Sequence, residues 1–388
     1  MSELIINKTN EKDEIEICVL ENNKIAELYI HKGKNESIIG NIYCGIVQNI
    51  VDGMGAAFVD IGMEKNTFLS VKDAMPKVDV AKEELIIDKK MSEVLKVGDK
   101  LLVQVRKEPT AEKGARVSTH VTLPGNYIVL MPNTNIVTVS QKIDNDKESE
   151  RLKEITRNVL PNGFGAIVRT DAENVEENLL KSDIKDVIEK WKNITKIYDS
   201  KKEKGIIYDD HNIIEKTTRD MVNKNTEKIY VNNEDIYEKV KEIADKKSAE
   251  IELLDVSNIF EKFGLVSEIE NVENRKIWLD CGGYIAIDKT EALTAIDVNS
   301  GKYTGNNNLE QTALSVNIEA AIEIMRQIRL KDIGGIVIID YIDLENKEDQ
   351  LKVVNTMKKE ALKDRSRIDI KGYTKLNLVE LTRKKLYV

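Results

Sequence analysis

Cysteine and histidine are scarce in this sequence, and neither is clustered. The 388 residues include only three cysteines and three histidines, namely Cys18, Cys44, Cys281, His31, His120 and His211. The lack of any CxxC pair excludes a disulfide framework and a cysteine zinc site, because both need cysteines at short, regular spacings. Scattered histidines are more often structural or surface residues than metal ligands, since metal sites need ligands that cluster.

Long apolar runs and an apolar leader are also missing. No stretch reaches the ~18 consecutive apolar residues that a membrane span requires. The N-terminal sequence MSELIINKTNEKDEIEI becomes acidic at once and lacks the hydrophobic segment of a signal peptide. We therefore expect a soluble, cytoplasmic protein without a membrane span.

Positive charge is not in excess either. The chain has 59 Lys and Arg against 68 Asp and Glu, which gives a formal net charge of −9. Because phosphate affinity comes from Lys and Arg, the chain either does not bind nucleic acid or binds it through local basic sites. The composition, 41% apolar and 33% charged, is that of a globular protein. At about 150 residues per domain, the length predicts two or three domains.

The secondary-structure patterns change several times along the chain. Residues 2–34 have the pattern of strands, with a turn at Asn22 and Asn23. Between residues 37 and 121, five short strand patterns with Gly-rich turns fit a small closed barrel of the OB type. Residues 122–280 mix strands and helices. From residue 281 onward the pattern is α/β, with predicted helices at 309–332 and 347–364 and a final strand near 367–372.

Two apolar segments in the α/β part each lead into an aspartate. LTAIDVNSG contains Asp297 and Asn299, and IVIIDYIDL contains Asp340. A strand–helix–strand unit of this length is most easily built as a crossover between parallel neighbours, which would place both aspartates at one sheet edge. Two carboxylates beside an amide form a hard oxygen ligand set that suits Mg²⁺ or Mn²⁺.

Other interpretations of these residues stay open at the sequence level. A single aspartate at a strand end is more often a cap or turn residue than a ligand. Asp288 also ends a strand pattern, GGYIAID, and is the main competing candidate for the metal ligand. The paired arrangement of Asp297 and Asp340 favours ligation.

The same segments carry a family resemblance. TEALTAIDVNSGKYTG and LEQTALSVNIEAAIEIMRQIRLKDIGGIVIIDYIDL resemble the catalytic core of the ribonuclease E/G family. The resemblance extends in the same order over IIGNIYCGIVQNIVDGMGAAFVDIG, KGARVSTHVTLPGNYIVLMP and GFGAIVRT. It therefore covers nearly the whole chain.

The resemblance implies an α+β multidomain architecture, with an S1-type OB-fold barrel inserted in an RNase H-like region and followed by a DNase I-like α/β catalytic region. The expected boundaries are an RNase H-like first segment at 1–36, the S1-type RNA-binding domain at 37–121, a 5′-end-sensing region at 122–215, an RNase H-like second segment at 216–280 and the catalytic region at 281–388.

The implied activity is a Mg²⁺-dependent endoribonuclease. Members of the family cleave single-stranded, AU-rich RNA to 5′-phosphate and 3′-hydroxyl ends, in rRNA and tRNA processing and in mRNA decay. By the resemblance, Asp297 and Asp340 match the metal ligands, and Asn299 matches the amide that positions the attack.

The resemblance also implies RNA-binding residues outside the catalytic segments. Arg169 and Thr170 match the pair that grips the 5′-terminal phosphate, and Gly125 and Val129 line up with the same pocket. An Arg fork beside a hydroxyl suits phosphate chemically, although a single Arg at a strand end is more often simply solvated.

A second set of RNA contacts falls in the predicted barrel. The resemblance implies that Phe58, Phe68 and Lys113 contact RNA. Aromatic side chains on an OB face stack on unpaired bases, but without the resemblance both rings are better read as barrel core. The stretch 100–116 adds five basic residues against two acidic ones, Lys100, Arg106, Lys107, Lys113 and Arg116 against Glu108 and Glu112.

The C-terminal part departs from the family pattern. Relatives continue into a CPxC zinc link and a dimerisation domain, whereas this sequence ends at Val388, soon after the basic cluster TRKKL. We expect no zinc site here, and any homo-oligomer would have to form without that link. The alternative function is a non-catalytic RNA-binding relative whose activity is lost or weakened.

Overall fold

A computed structural model describes residues 2–9, 14–32, 37–74, 89–209, 213–223, 225–301 and 309–385. His211 lies outside these ranges, and so do residues 302–305, the last four of the motif TEALTAIDVNSGKYTG. The chain divides into two compact units. The first contains Met1–Lys32, Asn225–Tyr237 and Ala249–Val388, and the second contains Gly33–Lys224 and Glu238–Ser248.

The structure mixes strands and helices throughout. The strands are β1 (Ser2–Thr9), β2 (Glu14–Glu21), β3 (Lys24–Lys32), β4 (Ile42–Val51), β5 (Ala56–Asp60), β6 (Thr67–Ser70), β7 (Lys100–Lys107), β8 (Arg116–Ser118), β9 (Leu123–Pro124), β10 (Ile128–Pro132), β11 (Val137–Val139), β12 (Phe164–Val168), β13 (Gly205–Tyr208), β14 (Thr226–Val231), β15 (Glu250–Leu253), β16 (Lys276–Trp278), β17 (Tyr284–Lys289), β18 (Leu293–Asn299), β19 (Gly335–Asp340), β20 (Ile368–Tyr373) and β21 (Leu378–Arg383).

The helices are α1 (Val71–Ala74), α2 (Met91–Val94), α3 (Asp146–Val159), α4 (Glu177–Ser200), α5 (Ile213–Met221), α6 (Glu234–Lys246), α7 (Ile259–Lys262), α8 (Val266–Glu270), α9 (Leu309–Leu330) and α10 (Lys347–Ala361), with short 3-10 turns at Asp52–Met54 and Thr170–Ala172. Among the described residues, no helix is long and apolar enough to cross a membrane.

A five-stranded sheet in the first unit joins the N-terminal strands to a distant part of the chain. Its order is β15-β14-β1-β2-β3, with β1 parallel to β14 and antiparallel to β2. The β2–β3 turn has positive φ at both Asn22 and Asn23, 51° and 60°, as a tight type I′ hairpin turn requires. This sheet brings residues of the expected segments 1–36 and 216–280 together.

The second unit contains a closed barrel at the position the sequence predicted. Strands β4, β5, β6, β8 and β7 pair in that order, and β7 pairs back onto β4. Val59, Leu69, Val103 and Val117 belong to its buried core. A closed five-stranded barrel is consistent with an OB-like fold. Strand β13 adds to β4 from residues about 160 positions further along, which the sequence patterns did not indicate.

A four-stranded sheet, β11-β12-β10-β9, packs against α3 and α4 in the same unit. Leu130 and Ala166 from the sheet and Leu152 and Ile184 from the helices share one buried cluster. Helix α3 begins after Asn145, whose side chain accepts from the backbone N–H groups of residues 147 and 148.

The six-stranded sheet of the first unit carries the catalytic candidates. Its order is β16-β17-β18-β19-β21-β20, and β18 and β19 are its one parallel pair among the described strands. Helices α9 and α10 bury one face of this sheet, contributing Val316, Ile324 and Val353 to its core. The opposite face is open, because residues alternate between buried and exposed along the central strands.

The C-terminal strand is the main difference from the predicted elements. The sequence predicted a last strand near 367–372 and a basic tail at Arg383–Lys385. Instead, β21 inserts between β19 and β20, and the Arg383 side chain is only 1% exposed. It is fixed by Asp364 and Asp332, each at 2.7 Å, so the first residue of the basic cluster is a buried structural ion pair.

Candidate functional site

Asp297 and Asp340 lie side by side on the open face of the six-stranded sheet. Strands β18 and β19 run parallel, and their register places the two aspartates directly opposite each other. Both side chains are exposed, while their neighbours Ile296 and Ile339 point into the core. The strand–helix–strand crossover predicted from the sequence is therefore present, with α9 between the two strands.

Asn299 completes this group. It lies two residues beyond Asp297 on the same face, and its side-chain amide Nδ2 donates to Asp297 Oδ2 at 2.6 Å. Within the described ranges, no cluster of three or more His, Cys, Asp or Glu side chains could hold a metal ion. Two adjacent carboxylates nevertheless fit Mg²⁺, which usually keeps several waters and takes only one or two protein carboxylates.

Helix α9 fixes the backbone just after Asp340. The fully buried Asn317 donates from Nδ2 to the carbonyl of Ile342 at 2.7 Å and accepts from its N–H at 3.1 Å. A side-chain amide that satisfies both backbone groups of one residue replaces a missing strand neighbour. Helix α9 thus holds the chain that leaves β19 just after Asp340.

The end of β18 is held by a close backbone approach. Gly301 has φ of 60°, and a Cβ there would lie 2.4 Å from the carbonyl oxygen of Gly282. A Cβ on Gly283 would lie 2.8 Å from the carbonyl of Asn299. Only glycine allows the segments around residues 283 and 301 to approach so closely, so the turn after Asn299 requires glycine at both positions.

Asp288, the competing candidate, has a different partner. Its carboxylate forms a two-pronged pair with Arg275, with Oδ2 2.6 Å from Nη2. The hydrogen bond from Arg275 lowers the pKa of Asp288 below its usual value. Its partner across the strand pair is Ala295, not Asp297. The structure therefore does not bring Asp288 into register with the two central aspartates.

In the barrel, Phe58 and Phe68 face away from the core. They sit directly opposite each other on β5 and β6, with ring centroids 6.2 Å apart in an edge-to-face arrangement. Both are half-buried, whereas Val59 and Leu69 beside them are core residues. The core-filling interpretation that the sequence favoured is therefore wrong for these rings, because strand alternation turns them outward.

The same row across the barrel continues with cationic side chains. Arg116 on β8 lies opposite Phe68, and Lys107 on β7 lies opposite Arg116. Arg116 is paired with Asp73 at 2.8 Å. Lys113 is exposed in the loop before β8, where its backbone N–H and carbonyl both bond to Thr110.

Not all of the basic residues in the stretch 100–116 are available to bind a ligand. Lys100 donates to the carbonyl of Tyr198 at 2.8 Å and lies 4.2 Å from the centre of its ring. Arg106 donates to Thr122 and to the carbonyl of His120, and burial lowers its pKa. These two cations hold the fold together.

Arg169 follows β12 and is held from two sides. One Nη donates to the carbonyl of Gly125 at 3.2 Å, and the other pairs with Asp220 at 2.9 Å. Val129 lies opposite Ile167, which precedes Arg169 by two residues and so shares its side of the sheet. The structure thus brings Arg169, Gly125 and Val129 to one region.

Thr170 bonds to a different neighbour. Its hydroxyl lies 2.9 Å from that of Ser140. Beside it, the buried Lys247 pairs with Asp171 at 2.8 Å, and burial lowers the pKa of Lys247. No sequence motif pointed to Asp220 or Lys247, because both come close to Arg169 and Thr170 only through tertiary packing.

Gly125 is also sterically constrained. A Cβ there would lie 2.5 Å from the carboxylate of the buried Asp183. That carboxylate accepts from the backbone N–H groups of Asn126 and Tyr127, both at 2.8 Å. The loop that offers the Gly125 carbonyl to Arg169 is therefore anchored from α4.

Comparison with known proteins gives one consistent family. A model of the ribonuclease E/G family matches residues 122–386. Ribonuclease G of Escherichia coli K12 is 36% identical over 395 residues, covering 99% of this chain and 80% of the relative. Ribonuclease G of Haemophilus influenzae is 35% identical, with 99% and 79% coverage. Ribonuclease E of Nostoc sp. PCC 7120 is 37% identical over 95% of this chain and 54% of the relative.

Proposed function

The chain belongs to the ribonuclease E/G family and is an endoribonuclease, and from this premise we propose that it is Mg²⁺-dependent and cleaves single-stranded, AU-rich RNA to 5′-phosphate and 3′-hydroxyl ends. The observation that carries the proposal is the direct register of Asp297 and Asp340, with Asn299 bonded to Asp297, on an open sheet face. An open face suits a polymeric substrate, which must lie across the site.

In this proposal Asp297 and Asp340 hold Mg²⁺, with Mn²⁺ as a substitute. A metal bound there would polarise a phosphoryl oxygen and lower the pKa of a water for in-line attack. Asn299 fixes the orientation of the Asp297 carboxylate through its 2.6 Å hydrogen bond. Fixed ligands matter because catalysis depends on charge that is already oriented when the transition state forms.

Two groups of side chains are proposed to hold the RNA strand. One is the row across the barrel that contains Phe58, Phe68, Arg116 and Lys107, and the other is the group around Arg169. Phe58 and Phe68 offer ring surface to unpaired bases, with Lys113 near a phosphate. Arg169 and Thr170, with Gly125 and Val129, are proposed to bind the 5′-terminal monophosphate. Support comes from the outward orientation of the rings and from the guanidinium held by the Gly125 carbonyl.

We also propose the domain division that the family resemblance implies, namely 1–36 and 216–280 as RNase H-like segments, 37–121 as the S1-type barrel, 122–215 as the 5′-end-sensing region and 281–388 as a DNase I-like catalytic region. The pairing of β1 with β14 supports joining the two RNase H-like segments. The proposed setting is rRNA and tRNA processing and mRNA decay in the cytoplasm, which the free, buried Cys18 and Cys44 suit.

Cleavage of a 5′-monophosphorylated AU-rich oligoribonucleotide tests the catalytic proposal. We expect cleavage with Mg²⁺ and none after chelation, with activity restored when Mg²⁺ is added back. Asp297→Asn and Asp340→Asn should each lower the rate at least about a hundredfold, because each removes a charged metal ligand. RNA binding measured by anisotropy should persist in both variants.

Asp288→Asn is the matched control, since it neutralises an aspartate of the same sheet that is paired with Arg275. It should cleave at nearly the rate of the unmodified chain. Loss of activity in this variant, with full activity in Asp340→Asn, would show that the ligands are wrongly assigned. RNA binding without any metal-dependent cleavage would instead favour the alternative, a non-catalytic RNA-binding relative.

A further inference from the structure

An aromatic pair, an exposed tryptophan and a half-buried tyrosine, lies on the same sheet face as the catalytic candidates. Trp278 on β16 and Tyr284 on β17 have ring centroids 5.3 Å apart, inclined at 62°. Lys276 places its Nζ 4.1 Å from the centre of the Trp278 ring and 3.6 Å from that of Tyr284. In spite of these contacts, Trp278 is still 59% exposed.

Strand register determines which face carries this pair. Trp278 lies opposite Tyr284, and Tyr284 lies opposite Asn299, so the three side chains form one row across β16, β17 and β18. Directly opposed residues of an antiparallel pair point to the same face. The alternate residues Ile277, Ile285 and Val298 pack with the core on the other face.

The row begins at the catalytic group itself. Asn299, at one end of the row, donates to Asp297. Trp278 is two strands away and two residues along from Asp297, which corresponds to about 12 Å at ordinary strand spacings. At the ~3.4 Å rise of a stacked strand, that span is roughly three to four nucleotides.

We propose that Trp278, Tyr284 and Lys276 form a stacking subsite for one unpaired nucleobase of the RNA strand, about three to four nucleotides from the scissile phosphate. The proposal rests on the proposed function, because it needs RNA to lie across Asp297 and Asp340. A large indole that is as exposed as that of Trp278 is unusual on a polar surface that binds no ligand.

The chemistry of the subsite favours RNA as its occupant. Indole and phenol rings stack on any base, since every base has a π-face. Lys276 adds a positive charge that binds the rings in the free protein and can turn to a backbone phosphate when a base takes its place. A protein partner, unlike RNA, carries no backbone phosphate for Lys276 to bind.

Intrinsic fluorescence gives a direct readout. The chain has two tryptophans, and Trp191 is buried in the second unit. We would titrate a short 5′-hydroxyl AU-rich oligoribonucleotide into the Asp340→Asn variant, which binds without cleaving. Emission from Trp278 should be quenched on binding, and the quench should vanish when Trp278→Phe is added.

Affinity and cleavage test the same subsite independently. Trp278→Ala should weaken binding of the oligonucleotide by between about fivefold and a hundredfold, the range of one base–aromatic stack. Trp278→Phe should restore most of that loss. Ile336→Ala, which trims another exposed apolar side chain of the same face, should bind as the unmodified chain does.

The outcomes separate this inference from the proposed function. Quenching and weakened binding would support the subsite even if cleavage were absent. Normal Mg²⁺-dependent cleavage together with unchanged RNA affinity in Trp278→Ala would overturn the subsite alone. A changed oligomeric state of Trp278→Ala in size-exclusion chromatography, with unchanged RNA affinity, would overturn it in favour of a contact between two copies of the chain.

Discussion

At the scale of single residues, the same side-chain type has different roles according to its partner. Asp297 and Asp340 face each other on an open surface, whereas Asp288 is neutralised by Arg275. Among the arginines, Arg383 is locked inside the fold by two aspartates, but Arg169 is held only partly buried. Composition alone cannot separate these roles, because partners come from distant parts of the chain.

Arg169 permits a prediction about the 5′ end of the substrate. Its guanidinium already bonds to the Gly125 carbonyl and to Asp220, so an incoming phosphate must compete with the Asp220 carboxylate. Arg169→Gln should remove the preference for a 5′-monophosphate over a 5′-hydroxyl, a change of roughly ten- to a hundredfold for a charge-assisted hydrogen bond. Competition binding with paired oligonucleotides measures the preference.

Asp220→Asn should act in the opposite direction. It removes a negative charge beside the proposed phosphate site while keeping a hydrogen-bonding side chain of similar size, so the preference for the monophosphate should increase. Arg157→Gln, an exposed arginine on α3, serves as the control and should leave it unchanged. An undiminished preference in Arg169→Gln would disprove the assignment of this pocket.

At the scale of elements, strands β18 and β19 were predictable because their signals are local. Apolar runs ending in aspartate, separated by a helix of the right length, predicted parallel neighbours, and β18 and β19 are parallel. The barrel was predictable for the same reason, since short strands with Gly-rich turns follow one another directly in sequence.

Other elements could not be predicted because their partners are remote. Strand β21 is stabilised where Arg383 meets Asp332, about fifty residues earlier. Strand β13 pairs with β4 across about 160 residues, and the Trp278–Tyr284 pair depends on the register of three strands. The periodicity of one segment does not indicate such pairings. A count of charged residues likewise does not reveal the internal hydrogen bonds of Lys100 and Arg106.

Helix α9 carries a prediction about how Asp340 is positioned. Asn317→Leu would leave the N–H and carbonyl of Ile342 without their partner, which should lower the free energy of unfolding by about 2–4 kcal/mol. The loop after Asp340 should then loosen, so kcat should fall more than KM rises. Denaturant unfolding and steady-state cleavage measure the two effects.

Two variants define the origin of that effect. Ser315→Ala, on the exposed side of α9, should change neither stability nor kcat. Asn317→Asp keeps the acceptor but buries a carboxylate against the carbonyl of Ile342, so it should be destabilised at least as much as Asn317→Leu. A destabilised Asn317→Leu with unchanged kcat at low temperature would mean that this contact supports the fold without positioning Asp340.

At the scale of the whole molecule, a net charge of −9 must be reconciled with an RNA substrate. Three of the five cations in the stretch 100–116 have partners within the protein and are less available to RNA. Lys100 and Arg106 donate to backbone carbonyls, and Arg116 is paired with Asp73. Lys107 is exposed in the row that contains Phe58 and Phe68, and Lys113 is exposed in the loop that leads into β8. A basic stretch in which three of the five cations are used internally should bind RNA by stacking more than by counterion release.

This balance predicts a shallow salt dependence for binding of a 5′-hydroxyl oligoribonucleotide. Each phosphate neutralised on a single strand contributes about −0.7 to the slope of log affinity against log salt concentration. Lys107→Ala and Lys113→Ala should each reduce the slope by about that amount, while Phe58→Ala should weaken binding and leave the slope unchanged, because stacking releases no counterions. Lys96→Ala removes the same charge from an exposed barrel position outside the row and should leave the slope as it was. Equal effects from Lys96 and Lys113 would mean that the barrel attracts RNA only through its overall charge, and the row would then have no role in placing the strand.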